Sequence, residues 1–377
     1  MLNGGAIGPA CTAAGATDDF RRRYFRFDDV IISGKFLHAG GSVVQPTPAC
    51  SARKGGGWDC SCPTAGRAAL SAANDQEPVF TVGFNDDTSA TTPPGVIDIR
   101  ARGCHSVRSG TVNEANVNAT GSCHIEDLFA KDSKDKLLLR VDASALVRVS
   151  VGLVSALPVA PSAALTVVGP ISQSSGTQLN VSNPDASTGL SVRSGGSIGL
   201  TASIQTAGPA GSSVAAMMAN DADLSSVPAS DFFRQTLGLP PADYRKQPAV
   251  TVLPCDNCNA AAVSAAVSSA PSRVVFIDGD LNLNAANAMG SGSAPVMLVV
   301  TGNVTVSQAV EFNGVIYAGG DFTWTSSGGS IKGAVIVGGE YVGSGNAAIA
   351  YDRNIVQKIH KGYGSFVRIP GSWTTEG

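Results

Sequence analysis

Val274-Val275-Phe276-Ile277-Asp278-Gly279-Asp280-Leu281 is an apolar run that rises into a glycine, passes a polar residue and returns to an apolar one. The phrase recurs in Val296 to Val300 with Thr301-Gly302-Asn303-Val304, in Val315-Ile316-Tyr317-Ala318-Gly319-Gly320-Asp321-Phe322, and in Val335-Ile336-Val337-Gly338-Gly339-Glu340-Tyr341. The marked glycines Gly279, Gly302, Gly320 and Gly339 are 23, 18 and 19 residues apart. A period near 20 residues built from short strands is the signature of stacked coils, one supersecondary unit per coil. The fold expected is mainly β, with a short β-solenoid or β-helix-like repeat at its C-terminal end. Asp280, Asn303, Asp321 and Glu340 recur at one phase of the repeat, so a coil corner accounts for them together.

Working outward, Ala164 to Val168, Gln178 to Val181, Gly189 to Val192 and Ser197 to Leu200 are short alternating runs split by turn residues. They read as opening coils of the same solenoid, or as a sheet leading into it. Between the two sets, about residues 220–248 form a helical insertion. Ser230 is placed to N-cap a helix through Phe232, Phe233 and Leu237, and Gly238 to stop it. Pro240-Pro241 forbids its continuation, and Asp243 to Lys246 adds one turn. Asn259 to Ser269 is alanine-rich and reads as a further helix. Tyr351 to Ile359 reads as a terminal helix or cap, which an exposed solenoid end requires. Residues 156–377 are thus expected to form one β-solenoid-like domain.

Residues 1–155 have another character. Val30-Ile31-Ile32, Val79-Phe80-Thr81-Val82, Val96 to Ile99, Leu137 to Val141 and Leu146 to Val149 read as strands between Gly/Pro/Ser-rich loops. Loop-rich domains of this kind need staples, and six of the eight cysteines lie here: Cys11, Cys50, Cys60, Cys62, Cys104 and Cys123. With Cys255 and Cys258 the count is even, which in an exported chain reads as disulfides. Cys255 and Cys258 flank a turn and can pair locally, and pairing of Cys104 with Cys123 is simpler than a metal site. Adjacent residues of a strand point to opposite faces, so Cys104-His105 and Cys123-His124 do not converge on one ion. Cys255-x-x-Cys258 lacks both a second pair of zinc ligands and the strand–helix context of a redox motif.

The 377 residues are 15% charged with net charge −3, which gives no electrostatic case for nucleic acid. Arg21-Arg22-Arg23 is neutralised locally by Asp18, Asp19, Asp28 and Asp29. The acidic clusters Asn85-Asp86-Asp87, Asn220-Asp221-Ala222-Asp223 and Asp278-Gly279-Asp280 match no calcium loop and read as turns. His38, His105, His124 and His360 accompany no serine in a nucleophile elbow. Trp58, Trp324 and Trp373 are too dispersed for a sugar platform. Asp280 and Asp321 are the carboxylates a β-helix glycosidase would need, and the corner reading absorbs them. No cofactor, metal or catalytic residue is expected.

Several segments together resemble one family, the PilX-type pilus assembly proteins, minor-pilin-like components of type IV pili. They are Phe232-Phe233-Arg234-Gln235-Thr236-Leu237-Gly238 with Tyr244 to Pro248, Val275 to Leu281 with Pro295 to Asn303, Phe312 to Tyr317 with Ile331 to Val337, and Ile349-Ala350-Tyr351-Asp352. The match spans about residues 145–360 as a pattern of strands and glycines. The resemblance implies a hydrophobic N-terminal helix that anchors the protein in the inner membrane. Met1-Leu2-Asn3-Gly4-Gly5 fits the last turn of such a helix, stopped by glycines, with the rest missing. No stretch approaches the ~20 apolar residues of a membrane span. The resemblance also makes residues 1–155 a pilin-like, cysteine-rich β region and carries no catalytic residues. It implies an exported, non-enzymatic protein, anchored in the inner membrane and facing the periplasm, or on the cell-surface pilus. Its partners would be other pilus or minor-pilin subunits, and a surface ligand if it adheres. A secreted β-solenoid adhesin or carbohydrate-binding module is the alternative, and a polysaccharide-active β-helix enzyme a third reading.

Overall fold

A computed structural model describes residues 25–27, 36–38, 49–52, 58–60, 79–85, 95–109, 139–199, 203–209, 216–255, 257–269 and 274–376. The protein is mainly β and divides into two compact units, residues 1–153 with 366–377, and residues 154–365.

In the first unit, strands β1 (Phe25–Phe27) and β2 (Phe36–His38) form an antiparallel pair. Strands β3 (Ala49–Ala52), β4 (Trp58–Cys60), β5 (Val79–Asn85), β6 (Val96–Ser109) and β7 (Leu139–Ser155) belong to an antiparallel sheet. The runs at Leu137 to Val141 and Leu146 to Val149 merge into the single 17-residue β7. Val30-Ile31-Ile32 lies outside the described residues. The last strand of the chain, Thr374–Glu376, pairs antiparallel with β7, Thr374 opposite Arg148.

The second unit holds the repeat. Its first strands are β8 (Ala163–Val167), β9 (Ile171–Gln173), β10 (Leu179–Ser182), β11 (Leu190–Ser194), β12 (Ile204–Ala207) and β13 (Met217–Met218). Helices α1 (Ala222–Ser225), α2 (Ala229–Leu237) and α3 (Pro241–Tyr244) follow. Strands β14 (Val250–Leu253) and β15 (Asn257–Asn259) lead into helix α4 (Ala260–Ser269). Then come β16 (Val274–Ile277), β17 (Asp280–Leu283), β18 (Ala288–Met289), β19 (Val296–Val300) and β20 (Val304–Val306). The series closes with β21 (Glu311–Ala318), β22 (Phe322–Trp324), β23 (Ser330–Val337), β24 (Tyr341–Gly343), β25 (Ala347–Tyr351) and helix α5 (Arg353–Gly362).

Strands one repeat apart pair in parallel. β14, β16, β19, β21 and β23 run in order through one sheet, and β15, β17, β20, β22 and β24 through a second. Both ladders then continue onto segments that come earlier in the chain. Val335 pairs with Leu165, Tyr341 with Ile171, and Ala347 with Leu179. Residues 163–218 therefore do not open the series, as their place in the sequence suggests; they extend it beyond β23, β24 and β25. Of the run Ser197 to Leu200, the described structure makes only an isolated bridge, Ile198 with Ile171.

Burial explains the two kinds of strand. In β17 the order is exposed, buried, exposed, buried, as expected of a sheet with one face in water. In β16 and β19 every residue is buried, which requires cover on both faces. The helical insertion supplies part of the outer cover. Phe232 and Phe233 pack on Tyr317 with ring centroids 6.0 and 5.2 Å apart, and Tyr244 packs on Phe276 at 6.2 Å. The buried Tyr244 hydroxyl donates to the Ala156 carbonyl at 2.8 Å. Burial raises the Tyr244 hydroxyl pKa far above that of an exposed tyrosine.

Three local expectations change. α2 is capped by Pro228, not Ser230; its φ of −59° is preset for a helix start, and its carbonyl receives the Asp231 and Phe232 N–H groups. Gly238 does end the helix, at φ +80°. Tyr351 closes β25 rather than opening a helix. α5 begins after Asp352, whose side chain caps the Asn354 and Ile355 N–H groups. α5 packs on β21 and β23 and so flanks the ladder instead of ending it. α4, where the alanine-rich run falls, occupies the chain position held by a third strand in later coils. It packs on β14, β15, β16 and β17 through Ala260, Val263 and Ala266.

β21 and β23 each turn a coil corner without a break, at the paired Gly314 and Gly333. Gly333 has φ +132°, and a Cβ there would overlap the Gly314 carbonyl and press on Ile355 of α5. Gly333→Ala is expected to lower unfolding stability by about 3 kcal/mol. Gly328→Ala, where a Cβ meets open space, is expected to be near neutral. Urea denaturation of the two variants checks this.

Candidate functional site

The recurrent polar residue of the repeat lies on one corner, in register across four coils. The Asn303 N–H donates to Asp280 Oδ1 at 2.7 Å, the Asp321 N–H to Asn303 Oδ1 at 2.8 Å, and the Glu340 N–H to Asp321 Oδ1 at 2.9 Å. Each side chain thus satisfies the backbone of the coil above it. The glycine before each receiving residue makes this possible. A Cβ on Gly302, Gly320 or Gly339 would overlap Asp280 Oδ1, Asn303 Oδ1 or Asp321 Oδ1. The Gly-Asp/Asn phrase is therefore one device, an acceptor reaching forward and a glycine that leaves room for it. The row stops at Glu340, because the facing residue of the next coil is Pro170, which has no N–H.

Beside this corner the outer face of the second sheet carries Asn282, Thr305, Thr323, Val342 and Ser172, in register on successive strands. Such strands repeat about every 4.8 Å. Beneath them Leu281, Val304, Phe322, Tyr341 and Ile171 form the matching interior column. Phe322 stacks on Tyr341 at 5.9 Å and on Trp324 at 6.4 Å. The face carries three polar residues in a row, is interrupted by Val342 before Ser172, and lies over an apolar and aromatic core. Asp278, beside it, takes Arg245 of the insertion at 2.5 Å and the Thr301 hydroxyl at 3.2 Å. Among the described residues no three His, Cys, Asp or Glu side chains gather as a metal site.

The structure joins Cys255, in the link after β14, to Cys258 of β15 in a disulfide, Cα atoms 5.3 Å apart. Cys50 and Cys60 face one another in backbone register on β3 and β4, and Cys104 lies in β6 opposite Val79 and Ser144. Cys11, Cys62 and Cys123 lie outside the described residues, as do His124 and Arg21-Arg22-Arg23. His38 and His105 fall in β2 and β6. His360 is held at the end of α5, its Nδ1 2.6 Å from the Leu157 carbonyl.

One charged pair escapes a reading by sequence. Asp221, placed above in a turn, is 7% exposed and takes the Arg193 Nε at 2.5 Å. The Arg193 hydrogen bond, aided by the Asp223 N–H, outweighs burial and holds the Asp221 carboxyl below its ordinary value. The same side chain caps α1 through the Asp223 N–H at 2.9 Å. The pair joins residues 28 apart, a separation at which neither helical nor strand periodicity gives a signal. Among the described residues no helix is long and apolar enough to cross a membrane.

Residues 284–375 match a family described as a protein of unknown function (DUF2572). No curated protein matches the chain. Among solved structures, the competence-associated pilin ComZ from Thermus thermophilus aligns over 80% of this chain and 84% of its own. The identity is 9% and the TM-score 0.21, too slight a likeness to assign the fold.

Two outcomes are expected. Asp321→Ala removes the acceptor of the Glu340 N–H and costs about 1 kcal/mol, whereas Asp321→Asn keeps an oxygen there and is within about 0.5 kcal/mol of the parent. Denaturant midpoints distinguish them. The Asp221 carboxyl is depressed on folding, so its contribution is complete above its unfolded pKa and is lost as pH falls through the lower folded value. The stability gap between the parent and Asp221→Asn is therefore expected to be full at neutral pH and to close below about pH 4. Thermal unfolding across that range measures it.

Proposed function

We propose that the protein is a structural, non-enzymatic component of type IV pilus assembly or of the pilus tip. In this reading the second unit is a short solenoid that displays a polar face. The observation that carries it is where the PilX-like segments fall. Phe232-Phe233 and Tyr244 clamp the outer face of the coils, the glycine-centred phrases form the ladder and its corner, and Tyr351 ends the last strand before α5. These are framework positions, so the resemblance lies in the parts that set the architecture. Asp280 and Asp321 support the non-catalytic reading, because one carboxylate oxygen of each serves the backbone of the next coil. Pilus or minor-pilin subunits are the partners in this reading, and the site of action is outside the cytoplasm.

The polar ladder Asn282, Thr305, Thr323 and Ser172 favours a second reading, a surface adhesin or carbohydrate-binding module. Deletion of the gene in its host, with complementation, separates the two. Loss of surface pili or of pilus-dependent motility is expected from the first. Normal piliation with lost surface attachment would favour the second, and normal piliation and attachment would overturn both.

A further inference from the structure

At one level inside the second unit, two buried polar side-chain atoms face inward without a hydrogen-bond partner. Trp324, Gly343 and Gln173 follow one another in register on β22, β24 and β9. This is the seam where the C-terminal strands meet the extension formed by residues 163–218. Trp324 is 0% exposed and its indole Nε1–H has no acceptor; Gln173 Oε1 is buried and has no donor. An unpaired buried polar group carries the full penalty of its lost hydration, so two at one level call for partners.

The amide of Gln173 is oriented by chemistry. Its Nε2 donates to the Gly345 carbonyl at 2.8 Å and to Thr177 Oγ1 at 2.7 Å. The Thr177 hydroxyl proton is itself used, on the Ser174 carbonyl at 2.8 Å. Both Nε2 protons are therefore taken, and Oε1 is left as a free acceptor. Gly343 gives that oxygen its place, since a Cβ there would overlap it. Oε1 thus sits over β24, one strand spacing of about 4.8 Å from the strand of Trp324. An indole N–H can only donate and an amide oxygen can only accept. The buried Tyr341 hydroxyl, also without a partner, begins the same short strand as Gly343.

The geometry points to an internal hydration site at this seam, in which a water molecule accepts from Trp324 Nε1–H and donates to Gln173 Oε1. A buried water needs at least about two polar partners, and this level supplies a fixed donor and a fixed acceptor. Gly343 is then required because the coil above sends an amide oxygen into the interior. The water ties two parts of the chain that are remote in sequence.

A crystal structure of the full chain, at a resolution that places ordered water, tests this directly. A density peak about 2.7–3.2 Å from both Trp324 Nε1 and Gln173 Oε1 is expected. A direct bond between those two atoms, or an ordered Trp324 with no density at Nε1, overturns the assignment. In solution, a long-lived water cross-peak is expected at the Trp324 indole N–H, and its absence overturns the assignment as well. Trp324→Phe identifies that signal by its loss. Should that variant not fold, Trp58→Phe and Trp373→Phe identify it by elimination.

Discussion

Parallel stacking of short strands leaves one recurrent difficulty, which is the backbone at each corner. Where the chain leaves one sheet for the next, an N–H group turns out of the ladder and needs an acceptor. In the second unit that acceptor is the Asp or Asn of the coil below, admitted by a glycine in the coil above. Removal of the glycine blocks the acceptor, and removal of the acceptor strands the N–H. The sheets on either side keep register because this corner keeps it. The continuous corners at Gly314 and Gly333 answer the same need differently, by letting one strand bend through the turn.

The corner also gives Asp280 and Asp321 a structural duty. A carboxylate that accepts from a backbone N–H at 2.7–2.9 Å has a fixed direction and a structural duty. In a row of coils such residues line up by necessity, and alignment alone says nothing of a ligand. The outward ladder of Asn282, Thr305 and Thr323 differs. Asn282, Thr305 and Thr323 alternate along their strands with the buried Leu281, Leu283, Val304, Val306, Phe322 and Trp324 and so face outward. The division between corner and face is one between residues set by architecture and residues open to function.

Much of this was legible in the sequence. The period of the glycines, the turn residues beside them, the Cys255–Cys258 loop and the helix ending at Gly238 all depend on contacts within a few residues or on a strict repeat. Val274 to Ile277 and Val296 to Val300 show no alternation, a pattern consistent with the double cover that the structure gives β16 and β19. What could not be read were the pairings that depend on no side-chain code. The ladder from β23 to β8 is made of backbone groups, and nothing in Ala163 to Val167 states that its neighbour is Val335 to Val337. The Trp324–Gln173 level follows from that stacking and was hidden with it, and the Arg193–Asp221 pair follows from the equally uncoded pairing of β11 with β13.

The stacking order has a consequence for the birth of the protein. Residues 163–218 leave the ribosome well before the strands on which they stack. β8, β9 and β10 lack their β23, β24 and β25 neighbours until residue 351 has been made. During that interval their edges are open to mispairing, and the contacts that close them span more than 160 residues. Such non-local closure slows folding. A chain that folds after export would meet all its strands at once, whereas one that folds during synthesis would hold an unpartnered sheet for nearly half of its length. The stacking order therefore favours holding the chain unfolded until its last coil has arrived.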